Sequence, residues 1–217
     1  SGGILQGDRY RMDVELTNNA ITHLTTQGAT RIYKMNSNYA THLVKINLKN
    51  NSYLEFIPEQ IIPYNNSRFY QKTQLNIDDS STVVYSETIV PGRIAMGEMF
   101  DFDVCYLKTE GGINEKIEFR DSSLLIPKKQ KIQSLTMFDG KTILTSVYLM
   151  TKKPVKNINN MINEMFSQLH DVSGGSSMMP NKSGLSIRIL GNSSEEQKTI
   201  IYEILQMIRK EILSEYL

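Results

Sequence analysis

The sequence predicts a mainly β fold, a stack of short strands followed by two C-terminal α-helices. Three observations carry that expectation. Tyr10, Met12, Val14 and Leu16 alternate with Arg11, Asp13 and Glu15, the period of two of a strand with one face buried and one wet. Three polar turns, LTNNA at 16–20, LKNNS at 48–52 and IDDSS at 77–81, recur about 30 residues apart, a spacing that suggests stacked β units rather than a meander. After residue 156 the apolar period becomes helical, and strand alternation no longer accounts for it.

The elements follow in order. After Asn18-Asn19 a second strand is expected over Ala20–Thr26, ending in the polar row Thr25-Thr26-Gln27 closed by Gly28. Such a row either caps backbone groups or lines something. Tyr39–Lys49 places Ala40, His42, Val44, Ile46 and Leu48 on one face. Tyr53–Ile57, Arg68–Ile77 (Phe69, Thr73, Leu75 and Ile77 inward) and Thr82–Val90 are further strands, the last closed by Pro91-Gly92. In Met99–Lys108 the aromatic face is Phe100, Phe102, Val104 and Tyr106, opposite Asp101, Asp103 and Cys105. Glu110-Gly111-Gly112 reads as a turn, Lys116–Ile126 as a strand, 128–131 as a solvated basic connector and Thr142–Thr151 as a strand. Asn157–Leu169 is a helix with Ile158, Ile162, Met165, Phe166 and Leu169 on one side; 173–184 is a Gly/Ser/Asn loop, and Leu185–Leu190 a strand. Ser193 with Glu196 forms a capping box for a last helix whose stripe is Ile201, Ile204, Leu205, Ile208 and Ile212.

Composition excludes several function classes. A net charge of +1 argues against a broad electrostatic grip on nucleic acid or an anionic membrane. No apolar run approaches the roughly 18 residues of a membrane span, and no stretch reads as a signal peptide. Cys105 is the only cysteine, which rules out an intrachain disulfide and fits a reducing, cytoplasmic setting. His23, His42 and His170 are isolated, so no tight metal site is expected. GGSSMMPNKS (174–183) lacks the glycine before its lysine that a phosphate loop needs, and no Gly-x-Ser-x-Gly elbow is present.

Three carboxylates stand out by context: Glu55 within a short strand, Glu87 on a face with Val83, Tyr85 and Ile89, and Glu98 after Gly97. A carboxylate on a buried face is costly unless it is hydrogen bonded or reaches internal water. Each is therefore either an ion pair with an arginine such as Arg68, Arg93 or Arg120, or part of a polar lining. Gly92 and Gly97 flank Arg93, as in a bend that aims the arginine or a plain surface corner.

The segments GGILQGDRYRMDV, LTTQGATRIYK, YLEFIPEQIIPY, PGRIAMGEMF and GLSIRILG, with a last helix ending IRKEIL, resemble the urease accessory protein UreD (UreH) family, in the family's order and over nearly the whole chain. The resemblance implies one UreD-like domain over 1–217 with a β-helical body. It implies a non-enzymatic scaffold that binds UreF, through UreF the GTPase UreG, and apo-urease, and that delivers nickel through a wet passage lined by acidic and hydroxyl groups. Carried over by position, the passage lining is Asp8, Thr25, Thr26, Gln27, Glu55 and Glu87, and the motif positions are Gly2, Gly3, Thr30, Tyr33, Gly92, Arg93, Gly97 and Glu98. The family often has Asp where Glu87 stands. No tightly bound cofactor is implied, only transient nickel, since a route must release its ion. In that setting lining is expected over capping for residues 25–27, and a segment preceding Ser1 is expected. The competing function is a glycan hydrolase or lyase on a β-helix with Glu55 and Glu87 as acid and base, told apart by whether the two carboxylates share a groove.

Overall fold

The computed structural model describes residues 2–215. Three coils form a solenoid-like stack. The first holds strands β1 (Arg9–Leu16), β2 (Ile21–Leu24) and β3 (Thr30–Ile32), the second β4 (Ala40–Leu48), β5 (Tyr53–Phe56) and β6 (Ile61–Pro63), and the third β7 (Arg68–Ile77) and β8 (Thr82–Ile89). Equivalent strands pair in parallel, β1 with β4 with β7, β2 with β5 with β8, and β3 with β6. The chain then leaves the repeat: β9 (Val104–Ile113) adds in parallel to β7 and β10 (Lys116–Leu125) folds back on it, completing a five-stranded sheet. β11 (Ile143–Met150), β12 (Ser173–Met178) and β13 (Gly184–Gly191) extend the other sheet from β8 by antiparallel pairing.

The recurring polar turns are one corner of this stack. Asn18, Asn19, Asn50 and Asn51 all take positive φ between 57° and 62°, a region asparagine tolerates better than other side-chain-bearing residues. The side chains bond between coils: Asn51 Nδ2 donates to Asn19 Oδ1 at 3.0 Å, and the third coil's Asp78 accepts from Asn50 N at 2.7 Å. Asn51→Val is expected to destabilise by about 2 kcal/mol, because a β-branched residue is strained there. Asn51→Gly removes only the lateral bond. Equal denaturation midpoints for the two variants would contradict this origin of the corner.

Three apolar regions hold the layers. Between the sheets, Val44, Ile46 and Leu75 meet Leu54, Phe56, Val83 and Tyr148. At one end of that space Ile32, Ala40, Ile61, Phe69, Ile89, Phe102 and Cys105 pack together. On the far side of the larger sheet, α1 (Lys156–Gln168) and α2 (Ser194–Glu211) press Ile158, Ile162, Phe166, Ile204 and Ile208 onto Tyr53, Val84, Val147, Leu149 and Ile187. The helices thus cover one face of the larger sheet. The cap of α2 is as expected, Ser193 Oγ accepting from Glu196 N at 3.3 Å.

Four local expectations are corrected. The amides of Asp103 and Val104 both donate to Ser67 O, at 3.0 and 3.2 Å, a local irregularity across which the parity of Phe102 does not carry into β9. There Cys105 and Leu107 are buried while Val104 and Tyr106 face outward, and Asp103 instead pairs with Arg68 and Lys128. Glu110-Gly111-Gly112 continues β9, and the turn lies at Asn114-Glu115, both at positive φ. Gly111 is required by packing: a Cβ there would lie 2.0 Å from the Phe119 ring. The expected loop at 173–184 begins with β12, whose Gly174 lies flat against the ring of Phe166. Finally, β2 stops at Leu24, so Thr25 and Thr26 lie beyond it.

Candidate functional site

Direct pairing between neighbouring parallel strands aligns side chains in columns on one face of a sheet. One inward column of the five-stranded sheet is polar: Tyr10 pairs with His42 and His42 with Gln71. The Tyr10 ring meets the His42 ring edge-on at 6.5 Å between centroids, and His42 Nδ1 lies 3.1 Å from Gln71 Oε1. Across the interior, β8 supplies Tyr85 and Glu87. Gln71 Nε2 donates to the Tyr85 hydroxyl at 3.1 Å and approaches Glu87 Oε2 at 3.5 Å, Tyr85 donates to Glu87 Oε2 at 3.2 Å, and Thr73 donates to the Tyr85 hydroxyl at 3.2 Å.

Glu87 is 4% exposed. Burial pushes its carboxyl up to about 7, against the opposing help of Tyr85, Arg188, Gln71 and Tyr148. No cation bonds it directly among the described residues. Arg188, whose charge reaches it, is bound instead to Asp121 and lies over the Tyr148 ring at 5.4 Å. Tyr148 donates to Asp121 at 2.8 Å, and Arg188 Nη1 is buried with no partner. At the other end, Tyr10 and His42 border an open basin with Gly2, Gly3, Thr26, Gln27, Thr30 and Arg31. The polar groups therefore run from an open basin, through Gln71, to Glu87 and on toward the Arg188–Asp121 pair.

Apart from Glu55, the residues named from sequence fall into three groups. Glu87 lies at the heart of the column, and Thr26, Gln27, Thr30, Gly2 and Gly3 border its basin. Thr25 lies outside that basin and caps where lining was expected, its Oγ1 donating to Ile57 O at 2.8 Å, whereas Thr26 both borders the basin and caps, its Oγ1 donating to Gly28 O and accepting from Glu59 N at 2.9 Å. Asp8 caps the turn before β1 by accepting from Leu5 N at 2.7 Å. The motif positions form packing and corners. A Cβ on Gly3 would lie 2.7 Å from both Arg31 O and the Tyr33 ring. Tyr33 meets Tyr64 edge-on, and Arg93 lies over Tyr64 at 4.1 Å while gripping Glu98 with two nitrogens. Gly92 and Gly97 take φ of 139° and 75° to close that corner, so Glu98 is the arginine ion pair that sequence weighed.

Glu55 stands apart from Glu87. It pairs with Val84 across β5 and β8, and Val84 is three residues from Glu87, so the two carboxylates leave the sheet on opposite faces. Glu55 faces α2, where Arg209 donates to both of its oxygens at 2.8 and 2.6 Å, with His23 Nδ1 at 2.7 Å and the Tyr53 hydroxyl at 2.9 Å. The structure does not bring Asp8, Glu55 and Glu87 to one wall. It also removes the geometry of the hydrolase reading, since a sheet separates its acid from its base.

Sequence reasoning missed His42, Gln71, Arg188 and Arg209 as participants. His42 was visible as a polar residue on the apolar face of its strand, and Gln71 occupies the inward position skipped between Phe69 and Thr73. The arginines left no signal, because their partners lie far along the chain. Among the described residues no cluster of three His, Cys, Asp or Glu could hold a metal, and no helix is long and apolar enough to cross a membrane. Cys105 is buried, and that burial pushes its thiol well above its ordinary range.

A family model described as UreD urease accessory protein matches residues 1–216. The chain is 36% identical over 197 residues to a urease accessory protein UreD of Cenarchaeum symbiosum, covering 90% of this chain and 69% of that protein. It is 34% identical over 218 residues to urease accessory protein UreD 2 of Brucella canis, covering 99% and 72%. To urease accessory protein UreD of Staphylococcus aureus it is 34% identical over 215 residues, covering 97% and 77%.

Proposed function

This chain belongs to the UreD family of urease accessory proteins, and on that premise we propose that it is a non-catalytic scaffold that helps deliver nickel to urease. In this reading it binds UreF, through UreF the GTPase UreG, and apo-urease. The interior polar column is the route, and nickel is cargo in transit rather than a resident cofactor.

One observation carries the reading: Glu87 is a buried carboxylate with no directly bonded cation among the described residues, at the centre of a polar line that starts in an open basin. Structural carboxylates of this protein look different, as Glu55 with Arg209 and Glu98 with Arg93 illustrate. A buried acid lacking such a partner destabilises the fold in its charged form. Retaining it makes physical sense where a passing cation supplies the missing charge.

Glu87→Gln tests both halves of that argument. The folded protein holds a proton on Glu87 up to about pH 7, whereas the unfolded chain releases it near 4.5. The native state therefore binds more protons between these values, and stability falls as pH rises through that window. Above it the charged form costs on the order of 3 kcal/mol, so the glutamine variant is expected to be more stable at pH 8 and to lose the pH dependence between 5 and 7. In a urease-bearing cell lacking its own UreD, the same variant is expected to co-purify with UreF and urease while urease nickel content falls severalfold. Normal nickel loading with intact assembly sinks the proposal.

A further inference from the structure

We propose that His42 is the protein ligand of a weak, exchangeable site for a borderline divalent cation at the mouth of the polar column, binding through Nε2 with Gln71 fixing the ring behind it. The Tyr85 hydroxyl has a single proton, which it donates to Glu87, so toward Thr73 and Gln71 it can only accept. Gln71 therefore turns its amide nitrogen toward that hydroxyl, at 3.1 Å, and its oxygen toward His42. That oxygen requires a proton on His42 Nδ1. A neutral ring protonated at Nδ1 carries its lone pair at Nε2, the arrangement second-shell acceptors impose on metal-binding histidines.

Three further features fit a cation at that nitrogen. His42 Nε2 has no hydrogen-bond partner among the described residues, and the ring is half-buried at the wall of the open basin. Burial lowers the pKa of the ring, with the Gln71 bond opposing, which keeps it neutral and able to ligate. The other donors around the basin are neutral oxygens, including Tyr10, Gln27 and Thr30, with Arg31 at the wall and no carboxylate. One imidazole with neutral oxygens and water suits nickel, zinc or copper rather than magnesium or calcium, which prefer anionic oxygen. With a single nitrogen ligand the ion leaves readily.

That this site is the entry to a nickel route rests on the scaffold reading above, whereas the site itself rests on the ring geometry. The test uses the whole chain labelled with 15N at histidine, titrated with Zn2+ and separately with Mg2+, with the ring nitrogens followed by NMR. Zn2+ is expected to shift His42 Nε2 before the rings of His23 and His170, and Mg2+ to leave it unmoved. By equilibrium dialysis with Ni2+, His42→Gln is expected to lose affinity at least tenfold. Gln71→Leu, which frees the ring to change tautomer, is expected to lose roughly tenfold. Shifts confined to His23 or His170, or unchanged nickel affinity in His42→Gln, overturn the site. The wild-type titration gives an answer even if a variant misfolds. Unchanged affinity in His42→Gln together with nickel-starved urease from Glu87→Gln removes this site and leaves the route standing. His42 shifts beside normal urease loading in Glu87→Gln do the reverse.

Discussion

Replacing Glu55 by alanine is expected to destabilise the protein by about 2 kcal/mol, because it breaks a half-buried ion pair and takes away the acceptor that Arg209, His23 and Tyr53 share. The carboxylate is 2% exposed and receives both donors of the Arg209 fork, with His23 and Tyr53 completing its shell. These contacts tie α2 to β5 across a separation of 154 residues. Removing both charges is milder than removing one. Glu55→Leu combined with Arg209→Leu is expected to recover most of the loss, since no charge is then left beside the apolar face of the helix. Denaturant midpoints of the two single variants and the double variant measure the coupling. A single-variant loss below about 1 kcal/mol would place the pair with ordinary surface salt bridges.

The same cluster has a pH signature. Burial alone would raise the pKa of Glu55, but the hydrogen bonds from Arg209, then His23 and Tyr53, outweigh it and hold the carboxyl below its ordinary 4.5. A depressed folded-state value means that the stabilisation is fully present above the unfolded value and is lost as pH falls through the folded one. Acid below pH 4.5 should therefore loosen α2, while Glu55→Ala should flatten stability over the same range. Glu87 has the opposite slope at higher pH, so the two carboxylates are separable in one titration of stability.

Gly184→Ala is expected to be at least as damaging, costing about 4 kcal/mol or preventing folding. Gly184 takes φ 134°, and a Cβ there would sit 1.8 Å from the carbonyl oxygen of Leu149 and 2.8 Å from its carbon. Those are backbone atoms inside a sheet, at the pairing of Met150 with Gly184, and they cannot move without separating β11 from β13. Gly175→Ala is the matched control. Its Cβ would make only an ordinary contact, 3.6 Å from Asn163 Oδ1, and a change within about 1 kcal/mol is expected. Similar midpoints for the two variants would show that the close approach at Gly184 relaxes.

Much of the body was legible because its causes are local. Alternation in Arg9–Leu16, the left-handed Asn-Asn corners and the Ser193 cap each depend on a few neighbouring residues, and each appears where the letters placed it. Errors gathered where distant packing overrides local pattern. The glycines 111 and 174 look like turn residues yet serve as flat surfaces for Phe119 and Phe166, a reason that exists only once those rings are in place.

The site divides in the same way. That Glu87 shares a face with Val83, Tyr85 and Ile89 follows from period two alone, and so does the inward placement of His42. Which carboxylate faces the interior between the sheets, and which faces a helix, was decided by the tertiary structure. Glu55 and Glu87 lie on neighbouring strands, but the register between those strands sets their relative parity, and register is a property of pairing rather than of either segment. The arginines that distinguish them, Arg209 and Arg188, arrive from α2 and β13 at the far end of the chain. The sequence by itself determined the repeating strand, the corner and the family. Only the assembled sheets and helices decided that one buried acid is matched by a bonded arginine while the other is left in a polar column, because burial and charge compensation depend on groups far apart in sequence.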